Sequence, residues 1–241
     1  MRKIIRRVFN FLGVEITQYN PGITQIGLFV KALDAQNINV IFDIGANVGQ
    51  FGQHLRDHGY KGRLISFEPL LSAHTQLLKV SKNDPLWTVA PRMAIGSEDG
   101  EVEIQIAGNS ESSSILNMLD SHKKADPASK YIGIEKTPLK KLDTVADYYL
   151  SDSDRLFLKI DTQGYEEMVI NGALNLMDKV QGIQLEISLV PLYEGQVPCK
   201  VMFDKIIQFG FKLWSITPVF YNIKNGKQLQ IDATFYRDEM I

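Results

Sequence analysis

Ile41-Phe42-Asp43-Ile44-Gly45-Ala46-Asn47-Val48-Gly49-Gln50-Phe51-Gly52 runs from an apolar stretch into a glycine-punctuated turn. The β-branched and aromatic run from Val40 to Ile44 predicts a buried strand, and a helix begins near Gly49. Gly45 permits a tight turn, and Gly49 lets the backbone approach either a ligand or a neighbouring strand. Three residues separate these glycines and position 47 is Asn, so the stretch is not the G-x-G-x-x-G of dinucleotide folds. A pyrophosphate prefers helix N-terminal amides with no anion beside them. Asp43 at the strand's end repels phosphate, so a ligand carrying a cation suits this turn. Glycines kept for packing alone are the competing reading.

Outward from the turn, short apolar runs alternate with helical segments, the pattern of a parallel sheet covered on both faces. Strands are expected at 63–67, 86–90, 156–160 and 182–187, with helices at about 72–81, 141–150, 164–177 and 201–209. Residues 101–106 alternate polar and apolar, which predicts an additional half-exposed strand. Residues 108–137 are polar and Ser-rich without a period, and read as an insertion. Ser110, Ser112, Ser113 and Ser114 in it suit either a lid over a ligand or a solvated loop. The tail from Phe211 to Tyr236 lacks helical period and contains Asn225-Gly226, a turn signal between two antiparallel strands. The expected fold is α/β, a doubly wound, Rossmann-like seven-stranded sheet of five parallel strands plus a C-terminal antiparallel pair. Ligands of such sheets bind beyond the carboxyl ends of the strands. Residues 1–38 form an N-terminal accessory helical segment, and 39–241 the main domain with its insertion at about 108–137.

Glu68 closes the second strand, 25 residues after Asp43. An acid there can accept both hydroxyls of a ribose; capping the helix after Pro69 is the alternative. Glycine turn and acid together describe an adenosine-type ligand with a positive centre and no phosphates. S-adenosyl-L-methionine, with its ribose, amino-acid tail and sulfonium, fits that description.

These residues resemble a known family. The D-I-G-A-N-V-G turn, the S-F-E-P strand end, M-A-I-G-S-E-D-G, L-K-I-D-T-Q-G-Y-E and L-E-I-S are similar to motifs of the FkbM-type methyltransferases, over about residues 39–237. The resemblance implies a class I fold, S-adenosylmethionine as cofactor, and O-methylation of a sugar or secondary-metabolite hydroxyl. It implies that Asp43, Gly45, Asn47 and Gly49, with Ala46 between them, surround the methionine moiety. Glu68, followed by Pro69, would hold the ribose, and Met93 and Ala94 would flank the adenine. Where the family often reads D-V-E-G, this chain has Asp161-Thr162-Gln163-Gly164, which opens the role of position 163.

Methylating a hydroxyl calls for alignment of oxygen with the methyl group, exclusion of water, and a base for the proton. Asp161 ends the fourth parallel strand and shares a face with Lys159. It is the candidate base or acceptor-orienting carboxylate. Lys159 is its electrostatic partner or, if desolvated, a base itself. Glu186, near the end of the adjacent strand, could face both. A helix-capping Asp161 and a structural Lys159–Glu186 pair are the competing reading. Glu166 and Glu167, in the next helix's first turn, suit its dipole.

Composition narrows the alternatives. With 241 residues, 44% hydrophobic and 22% charged, the chain is an ordinary globular domain and not disordered, collagenous or coiled coil. The 26 basic and 28 acidic residues give a net charge of −2, without the basic excess of a general nucleic-acid binder. Cys199, the single cysteine, excludes an intrachain disulfide and a Cys-cluster zinc site, and a reducing cytoplasmic setting is compatible with it. His54 and His58 have a metal-ligand spacing, but Leu55 stands where the metalloprotease motif needs Glu, so no metal is expected. Asp152-Ser153-Asp154 precedes a strand, at the wrong sheet edge for a glycosyltransferase metal site. No apolar run is long enough to span a bilayer. The opening MRKIIRRVFNFLGVEI has helical period and a basic face. It suits an accessory helix packed on the domain, or an interfacial helix making peripheral contact with anionic lipid. Besides the enzyme, a non-catalytic S-adenosylmethionine-binding scaffold or partner subunit fits the same turn.

Overall fold

The computed structural model describes residues 9, 11–13 and 21–237. The basic opening segment, expected to be helical, lies outside the described residues apart from Phe9 and 11–13. The chain then runs α1 (Gln25–Ala35), β1 (Val40–Ile44), α2 (Gln50–Asp57), β2 (Arg63–Phe67), α3 (Leu71–Ser81) and β3 (Trp87–Val89). A middle section follows, with β4 (Ala94–Ile95), β5 (Gly100–Ala107), α4 (Asp120–Ala125), β6 (Tyr131–Lys140) and α5 (Leu142–Val145). β7 (Leu156–Ile160), α6 (Glu166–Asn171), β8 (Val180–Ser188), α7 (Cys199–Gln208), β9 (Phe211–Asn222) and β10 (Lys227–Arg237) complete it.

The main sheet has seven strands in the order β3-β2-β1-β7-β8-β10-β9. β3, β2, β1, β7 and β8 are parallel, β10 runs against β8, and β9 runs against β10. β10 is therefore the one reversed strand, slotted between β8 and β9. The strand order reverses between β1 and β7, which creates the crevice where such sheets take ligands.

Each face of the sheet is buried differently. On one side Phe42, Ile44, Leu158, Ile160 and Leu185 pack with side chains of α5, α6 and α7. On the other, Ile41, Leu64, Phe157 and Tyr236 pack with Val30 and Leu33 of α1, Leu55 of α2 and Leu77 of α3. The accessory segment thus supplies α1 to the core. Thr24 starts that helix, its hydroxyl accepting the Gly27 N–H at 3.1 Å.

Two expectations change. The helix foreseen at 164–177 is only α6, because Gly172 packs its backbone against the Gly96 carbonyl and Asp143 captures the N–H groups of Asn175 and Leu176 at 3.2 and 3.0 Å. The insertion is also more ordered than its composition indicates. β6 pairs antiparallel with β5 and parallel with β4 in a second, three-stranded sheet. Gly133 and Pro138 interrupt its sequence signal, and Ile132 and Ile134 face solvent instead of marking a core face.

Candidate active site

Strand register builds two polar rows on the face that carries α1 and α2. In the first row Asp43 pairs with Ser66 on one side and Lys159 on the other, and the row continues through Gln184 and Thr234 to Ser215. Two residues further along, Glu186 pairs with Asp232 and Asp232 with Thr217. Gly45, Glu68 and Asp161 lie just beyond the ends of β1, β2 and β7. Alternation along each strand aims both rows at the same side, above the apolar Ile41–Phe157–Tyr236 layer. A cavity of about 1350 Å³ opens over them, from Glu68 and Met93 at one end to Thr217 and Val219 at the other.

Lys159 is the sole cation of the two rows. Its Nζ lies 3.5 Å from Asp43 Oδ1 and 3.3 Å from Asp161 Oδ2, and 5.4 Å from the centre of the Phe51 ring. Burial alone would lower its pKa, but the attraction of Asp161, Asp43 and Asp232 outweighs burial and raises it above the ordinary lysine value. Lys159 is thus the electrostatic partner of both Asp161 and Asp43. Asp43 is 1% exposed and does not line the cavity. Burial raises its pKa against the pull of Lys159. Asp43 lies beneath the cavity floor, in contact with Lys159.

The nucleoside end is built from turn backbone. Glu68 Oε2 accepts the Asn47 N–H and Oε1 the Leu70 N–H, both at 2.8 Å. Each oxygen keeps a lone pair for a ligand hydroxyl. Burial lifts the Glu68 pKa to about 7, with the two backbone N–H groups opposing. Asn47 is held in the left-handed region at φ 47°, and its Oδ1 is buried with no hydrogen-bond partner among the described residues. A cationic or hydroxyl donor would satisfy that oxygen, so the residues fit S-adenosylmethionine. Gly45, Ala46, Pro69, Met93 and Ala94 line the same end. Gly45 has φ 82°, and a Cβ there would collide with the Asp161 carbonyl oxygen, so glycine brings the ends of β1 and β7 together. Gly49 is not in the lining. It adopts φ 93° against Leu77 and Trp87, so its close approach is to the core.

Position 163 is the hub of the acid cluster. Gln163 Nε2 donates to Asp161 Oδ1 at 2.9 Å and to Glu186 Oε2 at 2.6 Å. Gln230 Nε2 donates to the same Glu186 oxygen at 2.7 Å. Burial, then Asp161, Asp232 and Glu166, push the Glu186 pKa well above the usual carboxylate range. Glu166 Oε1 gathers the Thr162 and Gly164 N–H groups at 3.0 Å each and so shapes the loop that carries Gln163. Asp161, Lys159 and Glu186 thus meet in one cluster, joined by a residue whose acid-to-amide change was visible in sequence but whose bridging was not. Asp232 was missed. Its signal is the alternation Gln230, Asp232, Thr234 between Ile231, Ala233 and Phe235, a polar face on a strand flanked by others.

The insertion walls the donor end. Asn47 Nδ2 donates to Ser110 Oγ at 3.4 Å, and Ser114 Oγ to the Gln163 carbonyl at 2.7 Å. Ser112 and Ser113 accept bonds from Asn109 and the Ala107 N–H. These serines hold the wall together. His58 caps α2, its ring Nδ1 2.9 Å from the His54 carbonyl.

A doubly wound sheet with an acid-lined crevice at its switch point, over a glycine turn and a strand-end glutamate, is the architecture of a class I methyltransferase. Residues 43–213 match the model of the methyltransferase FkbM domain, and the chain belongs to that family. It is a methyltransferase and its cofactor is S-adenosylmethionine. No curated protein matches the chain. Among solved structures, a Klebsiella pneumoniae protein provisionally described as an O-methyltransferase is 8% identical, with a TM-score of 0.49, over 98% of this chain and 89% of that one. An rRNA methylase from Streptococcus thermophilus is 10% identical, with a TM-score of 0.46, over 93% and 100%. Aeropyrum pernix fibrillarin, solved with bound S-adenosylmethionine, is 10% identical, with a TM-score of 0.42, over 81% and 66%. Among the described residues no helix is long and apolar enough to cross a membrane.

Proposed function

We propose that this methyltransferase acts on a hydroxyl of a carbohydrate or glycoconjugate, in polysaccharide or related biosynthesis in the cytoplasm. S-adenosylmethionine supplies an activated methyl group on a sulfonium. Glu68 and Asn47 would hold its ribose and amino-acid ends, and Met93 and Ala94 would border its adenine. The acceptor hydroxyl needs an orienting group that can take its proton. Asp161 serves, because Lys159 and Gln163 fix its two oxygens in place. The Lys159 ammonium stands 3.3 Å from Asp161 Oδ2, and the walls from α1 and the insertion limit water.

The observation that carries this reading is the polar floor beyond Asp161. Amides, hydroxyls and carboxylates from three strands line the cavity of about 1350 Å³ beyond Asp161, and suit an acceptor with many hydroxyls. The test is transfer of labelled methyl from S-adenosylmethionine to glycan fractions of a cell extract. Label in a glycan fraction, released as O-methyl sugar after hydrolysis, supports the reading. Label that appears only in protein or RNA overturns it. Cofactor binding with no transfer to any fraction would favour the scaffold alternative.

A further inference from the structure

Four carboxylates converge where the cavity passes from donor to acceptor, and three are already engaged. Asp43 is sealed beneath Lys159, Asp161 is held by Lys159 and Gln163, and one oxygen of Glu186 takes two amide N–H groups. Asp232 differs. It lines the cavity, lies directly opposite Glu186 and Thr217 in the sheet, and its carboxylate has no hydrogen-bond donor among the described residues. Lys159 attracts it across the row without bonding to it. A half-buried carboxylate with about four empty acceptor sites is costly unless something donates to it.

Its surroundings describe the donor. Gln184 Nε2 donates to Thr234 Oγ1 at 3.1 Å, and Ser215 and Thr217 continue the floor on β9. Ile26 and Phe29 of α1 and Ile216 and Pro218 of β9 also line the cavity. A floor of hydroxyls, an amide and a carboxylate beneath an aromatic and aliphatic wall matches a sugar ring, polar at its edge and apolar on its C–H face.

The geometry points to an acceptor subsite over β8, β10 and β9 for a polyhydroxylated ring, with Asp232 as the anchor accepting hydrogen bonds from adjacent ring hydroxyls. This rests on the hydroxyl-acceptor reading above and assigns it a residue. Asp232 lies beyond residue 213, where the match to the family model ends, so acceptor choice would be written in the C-terminal strands of this chain.

The experiment uses the full chain saturated with S-adenosylhomocysteine. Millimolar methyl glycopyranosides of glucose, galactose, mannose and rhamnose are tested as probes by saturation-transfer NMR. At least one pyranoside should bind the wild type, and Asp232→Asn should weaken it about tenfold or more, the scale of a lost charge-assisted hydrogen bond. Affinity for S-adenosylmethionine, measured by calorimetry, should be unchanged, which also reports that the variant is folded. With a methylated glycan fraction as acceptor, Asp232→Asn should raise KM far more than it lowers kcat. Thr217→Ala, a milder change on β9, should raise KM less. Methyl transfer by wild type with an unaltered KM in Asp232→Asn overturns the Asp232 subsite alone. Donor binding with neither glycan methylation nor pyranoside binding overturns the hydroxyl-acceptor reading and the subsite together.

Discussion

The Tyr193 hydroxyl donates to Gln163 Oε1 at 2.6 Å, and that bond decides which way the amide faces. With its oxygen committed to Tyr193, the amide must turn its nitrogen toward Asp161 and Glu186. Burial, then the nearby Glu186 carboxylate, raise the Tyr193 pKa, so the phenol stays a donor. Tyr193→Phe should release the amide, lower turnover about tenfold, the scale of one buried hydrogen bond, and leave donor affinity unchanged. Gln163→Glu restores the acid common in the family but adds a carboxylate that can bridge its neighbours only while protonated. Its activity should fall relative to wild type as pH rises, and matching pH profiles would count against the bridge.

Asp161, just past the end of β7, has both oxygens fixed, one by Lys159 and one by Gln163. Asp161→Asn should keep S-adenosylmethionine affinity within a few-fold by calorimetry. Turnover should drop about 100-fold or more, the usual loss when a positioned base is removed. Retained turnover would leave Asp161 a structural member of the Lys159–Gln163 cluster.

Lys159 separates two buried or half-buried acids, so its removal has a structural signature. Lys159→Met should destabilise the chain by about 3–5 kcal/mol, because Asp43 is left as an uncompensated buried charge. Asp43→Asn in the same chain should recover part of that loss in thermal unfolding. A double variant no more stable than Lys159→Met would remove the pair from the account of the fold.

Much of this was legible in sequence because the signals are local. β1 and its turn, β2 and β7 follow from apolar runs and glycine spacing, and Glu68, Asp161 and Lys159 from their places at strand ends. What was not legible depends on register. Asp43 and Gly49 look alike as turn residues, yet one sits under Lys159 and the other packs on Trp87, a distinction made by which strands and helices neighbour them. Asp232 is far from Glu186 in the chain and meets it only because β10 inserts between β8 and β9. β6 was hidden for a related reason: its exposed Ile132 and Ile134, with Pro138, present no core-facing alternation.

The acids of this cavity also make the fold pH-sensitive in a direction opposite to most carboxylates. Burial is the leading cause that lifts Glu68, Glu166 and Asp232 to about 7 each. In the unfolded chain they titrate near the ordinary values of 4.5, 4.5 and 3.8. Between those limits the folded state binds more protons than the unfolded one, so stability falls as pH rises through about 4 to 7 and levels off above. Each pKa unit is worth about 1.4 kcal/mol. Thermal unfolding without cofactor should therefore give a higher Tm at mildly acidic pH than at mildly alkaline pH. Asp232→Asn, which removes a titrating group without stripping any hydrogen bond from a described neighbour, should flatten that slope. A pH slope in Asp232→Asn equal to that of the wild type would mean that Asp232 is solvated in the folded chain, and would remove the buried anchor on which the acceptor subsite depends.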